Sequence, residues 1–165
     1  MERTRTLVSL CTHKHLTIAS CESLTAGLFS SKIASCPGAS AVLKGALVTY
    51  FTEMKHVLAQ VEPEVIEEYG VVSQPCAISM AEHTKQIMQV DYCVSFTGNA
   101  GPSVMENKPA GRVYCAIASD HNTYPYCFQW DGRSRNEVRQ AVVDAMIDAL
   151  IKVIEQESEE FGNRE

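Results

Sequence analysis

The most regular stretch of the chain lies near its end. Val138, Ala141, Val142, Ala145, Met146, Ala149, Leu150, Val153 and Ile154 recur at i, i+3, i+4 and i+7 and predict a long amphipathic helix. Val143, Ile147 and Ile151 widen its apolar arc, which predicts either deep burial or a subunit contact and hence a homo-oligomer. The acidic residues 155–165, "EQESEEFGNRE", read as a frayed, solvated tail. At the other end, "RTLVSLCTHKH" sets Leu7, Leu10 and Cys11 on one helical face.

Between these helices, short β-rich runs alternate with helical ones. "LTIASC" reads as a strand, and from Thr25 the residues Leu28, Phe29, Ile33 and Ala34 keep helical spacing until Pro37 and Gly38. "LKGALVTY" is a second strand, followed by a short helix for which Thr52 is placed as cap. Pro63 and Gly70 bracket another helix, and Ser73 precedes a longer one with Pro75 in its first turn, where a missing N–H costs nothing. "DYCVSF" is a third strand, and "GRVYCAIAS" with "YPYCFQW" reads as a hairpin. Strand and helix alternation followed by a hairpin predicts a single three-layer α/β/α domain over residues 1–165, core about 16–154, with a mixed, mostly parallel sheet.

Composition narrows the function classes. Apolar residues make up 45% and charged residues 21%, as in ordinary globular chains, and no apolar stretch reaches the roughly 20 residues of a membrane span. The N-terminus lacks the apolar core and cleavage site of a signal peptide, so the cytoplasm is the expected compartment. A net charge of −6 without a basic block argues against nucleic-acid binding. Seven scattered cysteines with no C-x-x-C pair suit reduced, mostly buried thiols and point to no metal site.

Four groups carry candidate chemistry, each with a plain structural alternative. Ser23 and Thr25 in "ASCESLTAG" stand at a strand-to-helix junction, where hydroxyls cap helices but also attack or hold substrates; the small pair Ala26-Gly27 lets a ligand approach. Lys55 falls in the first turn of its short helix, against the dipole, where it is either a misplaced surface lysine or an amine whose proton affinity is lowered for general-base work. "TGNAGP" (Thr97, Gly98, Asn99, Ala100, Gly101, Pro102) ends the third strand as a tight turn or an anion-holding nest. Arg135 and Arg139 project from one side of the last helix near its start, behind a Ser134/Glu137 capping box, either as a solvated face or as ligands for phosphate or carboxylate. The five histidines have no Cys, Asp or Glu at ligand spacing.

Taken in order, "ESLTAG", "GALVTYFTEMK", "GVVSQP", "TGNAGP", "KPAGRVY" and the arginine-headed final helix resemble the CinA C-terminal domain family, also known as the nicotinamide mononucleotide deamidase family, from about Leu16 to Ile154. The resemblance is to the stand-alone form, with no molybdopterin-binding-type domain ahead of it. It implies hydrolysis of the carboxamide of a small nucleotide, nicotinamide mononucleotide, to nicotinic acid mononucleotide and ammonia, with no metal or cofactor. It places the nucleophile on Ser23, the base on Lys55 and a third member on Tyr50, and substrate contacts on Thr25, Ala26, Gly27, the 97–101 turn, Arg135 and Arg139. The chain departs from the family pattern at Ala26, at Asn99 and in "GPSVMENKP" and "WDGRSRNEVR", all in loops around the implied substrate. Two other functions fit the same residues: a nucleotide-binding or competence-related partner-binding protein without turnover, and a Ser-Lys hydrolase of another small amide.

Overall fold

In the computed structural model, which describes residues 1–162, the β-rich runs form five strands of one open sheet. These are β1 (Ile18–Glu22), β2 (Leu43–Val48), β3 (Tyr92–Gly98), β4 (Arg112–Ala118) and β5 (Thr123–Gln129), in the spatial order β2-β1-β3-β4-β5. β2 and β3 flank β1 in parallel, while β3–β4 and β4–β5 are antiparallel. The sheet is mixed, as expected, and is divided evenly between parallel and antiparallel pairings. Around it stand the helices α1 (Glu2–Lys14), α2 (Leu28–Ala34), α3 (Thr52–Val57), α4 (Pro63–Tyr69), α5 (Gln74–Met88) and α6 (Arg135–Phe161).

The period of two along each strand sorts side chains by size onto two faces. Val94, Phe96, Val113, Cys115 and Ile117 face α1, α2 and α6, where they pack with Leu7, Phe29, Val142, Met146 and Leu150. Each such side chain contributes on the order of 1.5–3 kcal/mol by leaving water. The other face carries small residues where α5 crosses it, with Tyr114 beside them: Ala116 and Ala118 meet Ala77 and Ala81 of α5, and Ala19 and Cys93 lie beside Val90. Small side chains on both partners let α5 sit close on the sheet.

β1 feeds β2 through α2 on one face, and β2 feeds β3 through α3, α4 and α5 on the other. The chain therefore leaves β1 toward opposite faces on its two sides, and the carboxyl ends of β1, β2 and β3 share one edge. An open sheet binds ligands at such a switch point.

Of the two readings of the wide arc of α6, deep burial is the one that holds and a subunit contact is not: Val143, Ile147 and Ile151 are buried against the chain's own core, because α6 lies on the sheet and is flanked by α1 and α2. Nor is the acidic segment frayed as far as it is described: α6 runs to Phe161, and the buried Glu157 accepts hydrogen bonds from Tyr92 Oη (2.8 Å), Ser119 Oγ (2.6 Å) and Tyr124 Oη (2.6 Å). The last part of that expectation, residues 163–165, lies outside the described residues. Ser134/Glu137 form the capping box of α6, as the sequence predicts, and Ser73, the residue ahead of α5, caps that helix by accepting from Cys76 N. Thr52 caps nothing: it is already inside α3, after Phe51. Six of the seven cysteines are buried and Cys127 is exposed. Among the described residues no helix is long and apolar enough to cross a membrane.

Candidate active site

Ser23 follows the last residue of β1, and its N–H extends the ladder to Phe96 O (3.0 Å). The helix expected from Thr25 starts three residues later, at Leu28. The intervening turn uses two left-handed residues, Ala26 (φ 48°) and Gly27 (φ 95°), so Gly27 is needed for its conformation more than for close approach. Neither Ser23 nor Thr25 caps α2. That work falls to Glu22, whose fully buried carboxylate accepts from Phe29 N (2.9 Å) and Ser30 N (3.1 Å) and from Ser20 Oγ (2.8 Å). The hydroxyls are thereby released from the capping role. Thr25 Oγ1 is buried and has no partner, and Ser23 Oγ meets Lys55.

Lys55 is the buried residue of α3, with 1% of its surface exposed, while Phe51, Val57 and Leu58 around it face outward. A short helix that buries its lysine and exposes its apolar residues inverts the usual pattern. Lys55 Nζ lies 3.0 Å from Ser23 Oγ, 2.7 Å from Thr49 O and 3.5 Å from Tyr50 O. Among the described residues no carboxylate pairs with it. Its proton affinity is lowered, and burial is the leading cause, where the sequence pointed to the helix dipole. Cys76, Cys21 and Glu106 oppose the shift, yet burial keeps both thiols protonated, pushing Cys76 up to about 12, so they supply no anion at neutral pH. In the neutral amine, two N–H groups can serve the Thr49 and Tyr50 carbonyls and the lone pair is left for the Ser23 hydroxyl.

Beyond this pair, a cavity of about 110 Å³ opens between the ends of the strands, lined by Ser23, Tyr50, Asn99, Ala100, Met105 and Arg135 among others. Tyr50, in the loop after β2, is half exposed, and its hydroxyl accepts from Arg135 Nη2 (2.5 Å), while Arg135 Nη1 donates to Gly101 O (2.8 Å). Arg139 stands apart from Arg135. Its guanidinium is on the turn after Ser23, with Nε on Leu24 O (2.9 Å), Nη2 on Thr25 O (3.1 Å) and Nη1 on Asn136 Oδ1 (3.0 Å).

The 97–101 turn is built from within. Thr97 Oγ1 donates to Val71 O (2.7 Å), and a Cβ on Gly98 would lie 2.4 Å from Arg112 O, so only glycine fits there. Asn99 faces the loop to β4, donating to Met105 O and Lys108 O (both 3.1 Å) and accepting from Met105 N (3.0 Å). Glu106, not singled out from the sequence, pins that loop by accepting from Val71 N (2.8 Å) and Val72 N (2.9 Å). Of the sequence candidates, Ser23, Tyr50, Gly98, Asn99, Ala100 and Arg135 border the cavity, Lys55 lies behind Ser23, and Thr25, Thr97 and Arg139 hold its walls. Larger hollows, of about 510, 620, 520 and 230 Å³, lie beside Glu157, beside α1, beside Lys85 and beside Asp148. Among the described residues, none of them has a lining serine, threonine or cysteine hydrogen-bonded to a basic side chain. Among the described residues, no three His, Cys, Asp or Glu side chains gather as metal ligands would.

The family model described as the CinA C-terminal domain matches residues 2–154. A protein of Listeria monocytogenes that carries the name competence-damage inducible protein is 43% identical over 138 residues, 83% of this chain and 33% of the relative. One of Halalkalibacterium halodurans with the same name is 37% identical over 159 residues, 96% of this chain and 38% of its own. The chain thus spans about a third of the length of these curated relatives. The crystal structure of the competence/damage inducible protein CihA from Agrobacterium tumefaciens superposes with a TM-score of 0.88 at 29% identity, over 92% of this chain and 93% of that one. A CinA superfamily structure from Klebsiella pneumoniae, at 22% identity, shares the fold with a TM-score of 0.90 over 94% of this chain and 97% of its own.

Proposed function

The chain belongs to the CinA C-terminal domain family, and from the contact between Lys55 and Ser23 we propose that it is an amidohydrolase of Ser-Lys type acting on nicotinamide mononucleotide. The observation that carries this reading is a fully buried amine, free of any carboxylate partner, 3.0 Å from a serine hydroxyl at the wall of a cavity. Burial with no carboxylate in contact favours the neutral amine against the opposing pull of Glu106, and the neutral form is the one that takes a proton. The six-residue α3 exposes apolar side chains in order to place it there.

In this mechanism Lys55 Nζ accepts the Ser23 proton as Oγ attacks the carboxamide carbon, and the resulting oxyanion is held by backbone N–H groups next to Ser23. The proton passes from Lys55 to the amide nitrogen, the C–N bond breaks and ammonia leaves. Water, giving a proton to the same amine, then attacks the ester carbon; nicotinic acid mononucleotide departs as Ser23 regains its proton. Arg135 is the cation at the cavity mouth and is the proposed contact for the phosphate. Ligand pockets usually measure about 300–1,000 Å³, so this one has to widen for a mononucleotide, and Tyr50 and Arg135, hydrogen-bonded to each other in its wall, are the side chains proposed to move.

That small volume also favours a second reading, hydrolysis of a smaller amide by the same pair. Ammonia release by the purified protein, followed with a coupled dehydrogenase on nicotinamide mononucleotide and on a panel of small amides, separates the two. The mononucleotide is expected to be the best substrate, and Ser23→Ala to be inactive. Folded protein that releases no ammonia from any amide would remove the hydrolase reading.

A further inference from the structure

We infer that Arg139 is a positioning residue for the backbone amides that follow Ser23, and not a contact for the charged group of the substrate. The inference rests on the Ser-Lys reading of the site. Arg135 and Arg139 are one helical turn apart and look equivalent in sequence, but their guanidinium groups do different things. Arg135 is exposed at the cavity mouth. Arg139 is half-buried and places three of its five N–H donors on protein oxygens, two of them the carbonyls of Leu24 and Thr25.

What those bonds fix follows from peptide geometry. In a trans peptide the C=O and the N–H of the next residue point in opposite directions. The Leu24–Thr25 bond is trans. By holding Leu24 O toward α6, Arg139 turns Thr25 N–H away from α6. One residue earlier the same rule applies: Ser23 O accepts from Ala26 N (3.0 Å), which turns Leu24 N–H out of the turn. Among the described residues neither Leu24 N–H nor Thr25 N–H has a protein acceptor. Two consecutive amides without a protein acceptor, directly after a nucleophile, are the assigned donors for a developing oxyanion.

Only the first of these amides is oriented by the turn itself. Thr25 N–H depends on a side chain that arrives from α6, 114 residues away. Glu22 holds the far side of the same turn through α2, so the segment is clamped between a buried carboxylate and a guanidinium. A clamp of this kind affects the transition state, where the oxyanion exists, and leaves ground-state binding alone.

The test compares Arg139→Gln, Arg139→Lys and Arg135→Gln with the wild type. It measures kcat and KM for ammonia release from nicotinamide mononucleotide, the affinity of nicotinic acid mononucleotide, and the affinity of pyridine-3-boronic acid. The boronic acid forms a bond from boron to Ser23 Oγ, passes the serine proton to Lys55, and presents a tetrahedral oxygen to these two amides. Arg139→Gln is expected to lower kcat and boronate affinity together, each by roughly 10- to 100-fold, the lower part of the range for losing an oxyanion donor. KM and product affinity should stay within about threefold, because uniform binding is untouched. Arg139→Lys, which reaches one carbonyl, should fall between, and Arg135→Gln should raise KM instead.

A rise in KM with kcat retained in Arg139→Gln would overturn the inference and make Arg139 a substrate contact. So would an unchanged boronate affinity. Proton–nitrogen NMR of the Thr25 amide gives an arm free of turnover: its shift and its response to the boronic acid should change in Arg139→Gln and be restored in part by Arg139→Lys. If the wild type releases no ammonia, the hydrolase reading falls, and the boronate and amide arms still decide what Arg139 does.

Discussion

Replacing Glu22 and replacing Thr25 should give opposite results, and the pair tests how the turn around Ser23 is held. Glu22 is fully buried and satisfies two N–H groups at the start of α2 and one serine hydroxyl. Hydrogen bonds to a charged group contribute about 1.5–3 kcal/mol each, and an N–H left orphaned costs about 1–3 kcal/mol. Because the three donors share one carboxylate, their losses overlap, and Glu22→Ala is expected to cost about 3–5 kcal/mol. Glu22→Gln keeps the shape but turns an NH2 toward one of the two backbone donors, for about 2–3 kcal/mol. In a chain of this length each kcal/mol moves Tm by about 2–4 °C, so Glu22→Ala should melt roughly 6–20 °C lower. Thr25→Val removes a hydroxyl that has no partner; it should change stability by less than about 1 kcal/mol, in the stabilising direction. Urea unfolding followed by circular dichroism, with calorimetry for Tm, reads all three. A Thr25→Val loss larger than that of Glu22→Gln would refute the assignment of the cap to Glu22.

Lys55→Met should lower turnover by about a hundredfold or more, the scale of a lost general base, while stability changes by no more than about 2 kcal/mol, since two carbonyls lose a donor but a buried amine is removed. The pH dependence has a definite sign: between the lowered folded-state pKa of Lys55 and the ordinary 10.5, the unfolded chain binds the extra proton. Stability therefore gains from this group as pH rises through that window and loses as pH falls, and the slope should vanish in Lys55→Met when unfolding is measured across pH. Glu157→Ala should cost about 2–4 kcal/mol in urea unfolding, because it strands the hydroxyls of Tyr92, Tyr124 and Ser119; a neutral result would return this end of α6 to the frayed tail that its composition suggests. A thiol reagent should modify the exposed Cys127 rapidly and the six buried cysteines only on unfolding, counted by intact mass.

The fold was legible wherever one periodicity ran long enough. α6, the β4–β5 hairpin and the cap at Ser134 follow from spacing and from short-range hydrogen bonding, which a sequence displays directly. What stayed hidden depends on residues far apart. Glu22 looks like a polar residue ending a strand, and its capping role appears only when α2 folds back onto β1. Lys55 was readable as misplaced, but its burial is decided by Ser23 and Thr49 on neighbouring strand ends. Arg135 and Arg139 are indistinguishable by spacing, because their roles are assigned by Gly101 and Tyr50 in one case and by Leu24 and Thr25 in the other. The wide arc of α6 likewise says that many of its residues are covered, and not what covers them.

The central claim is that Ser23, with its proton taken by Lys55, forms a covalent intermediate with the substrate. Rapid acid quench of the protein during turnover of nicotinamide mononucleotide, followed by peptide mapping by mass spectrometry, tests this most directly. The predicted result is an acyl adduct on the peptide that contains Ser23, formed together with the first equivalent of ammonia and absent from Ser23→Ala and Lys55→Met. Ammonia released at the wild-type rate by Ser23→Ala, with no adduct on any serine, would contradict it.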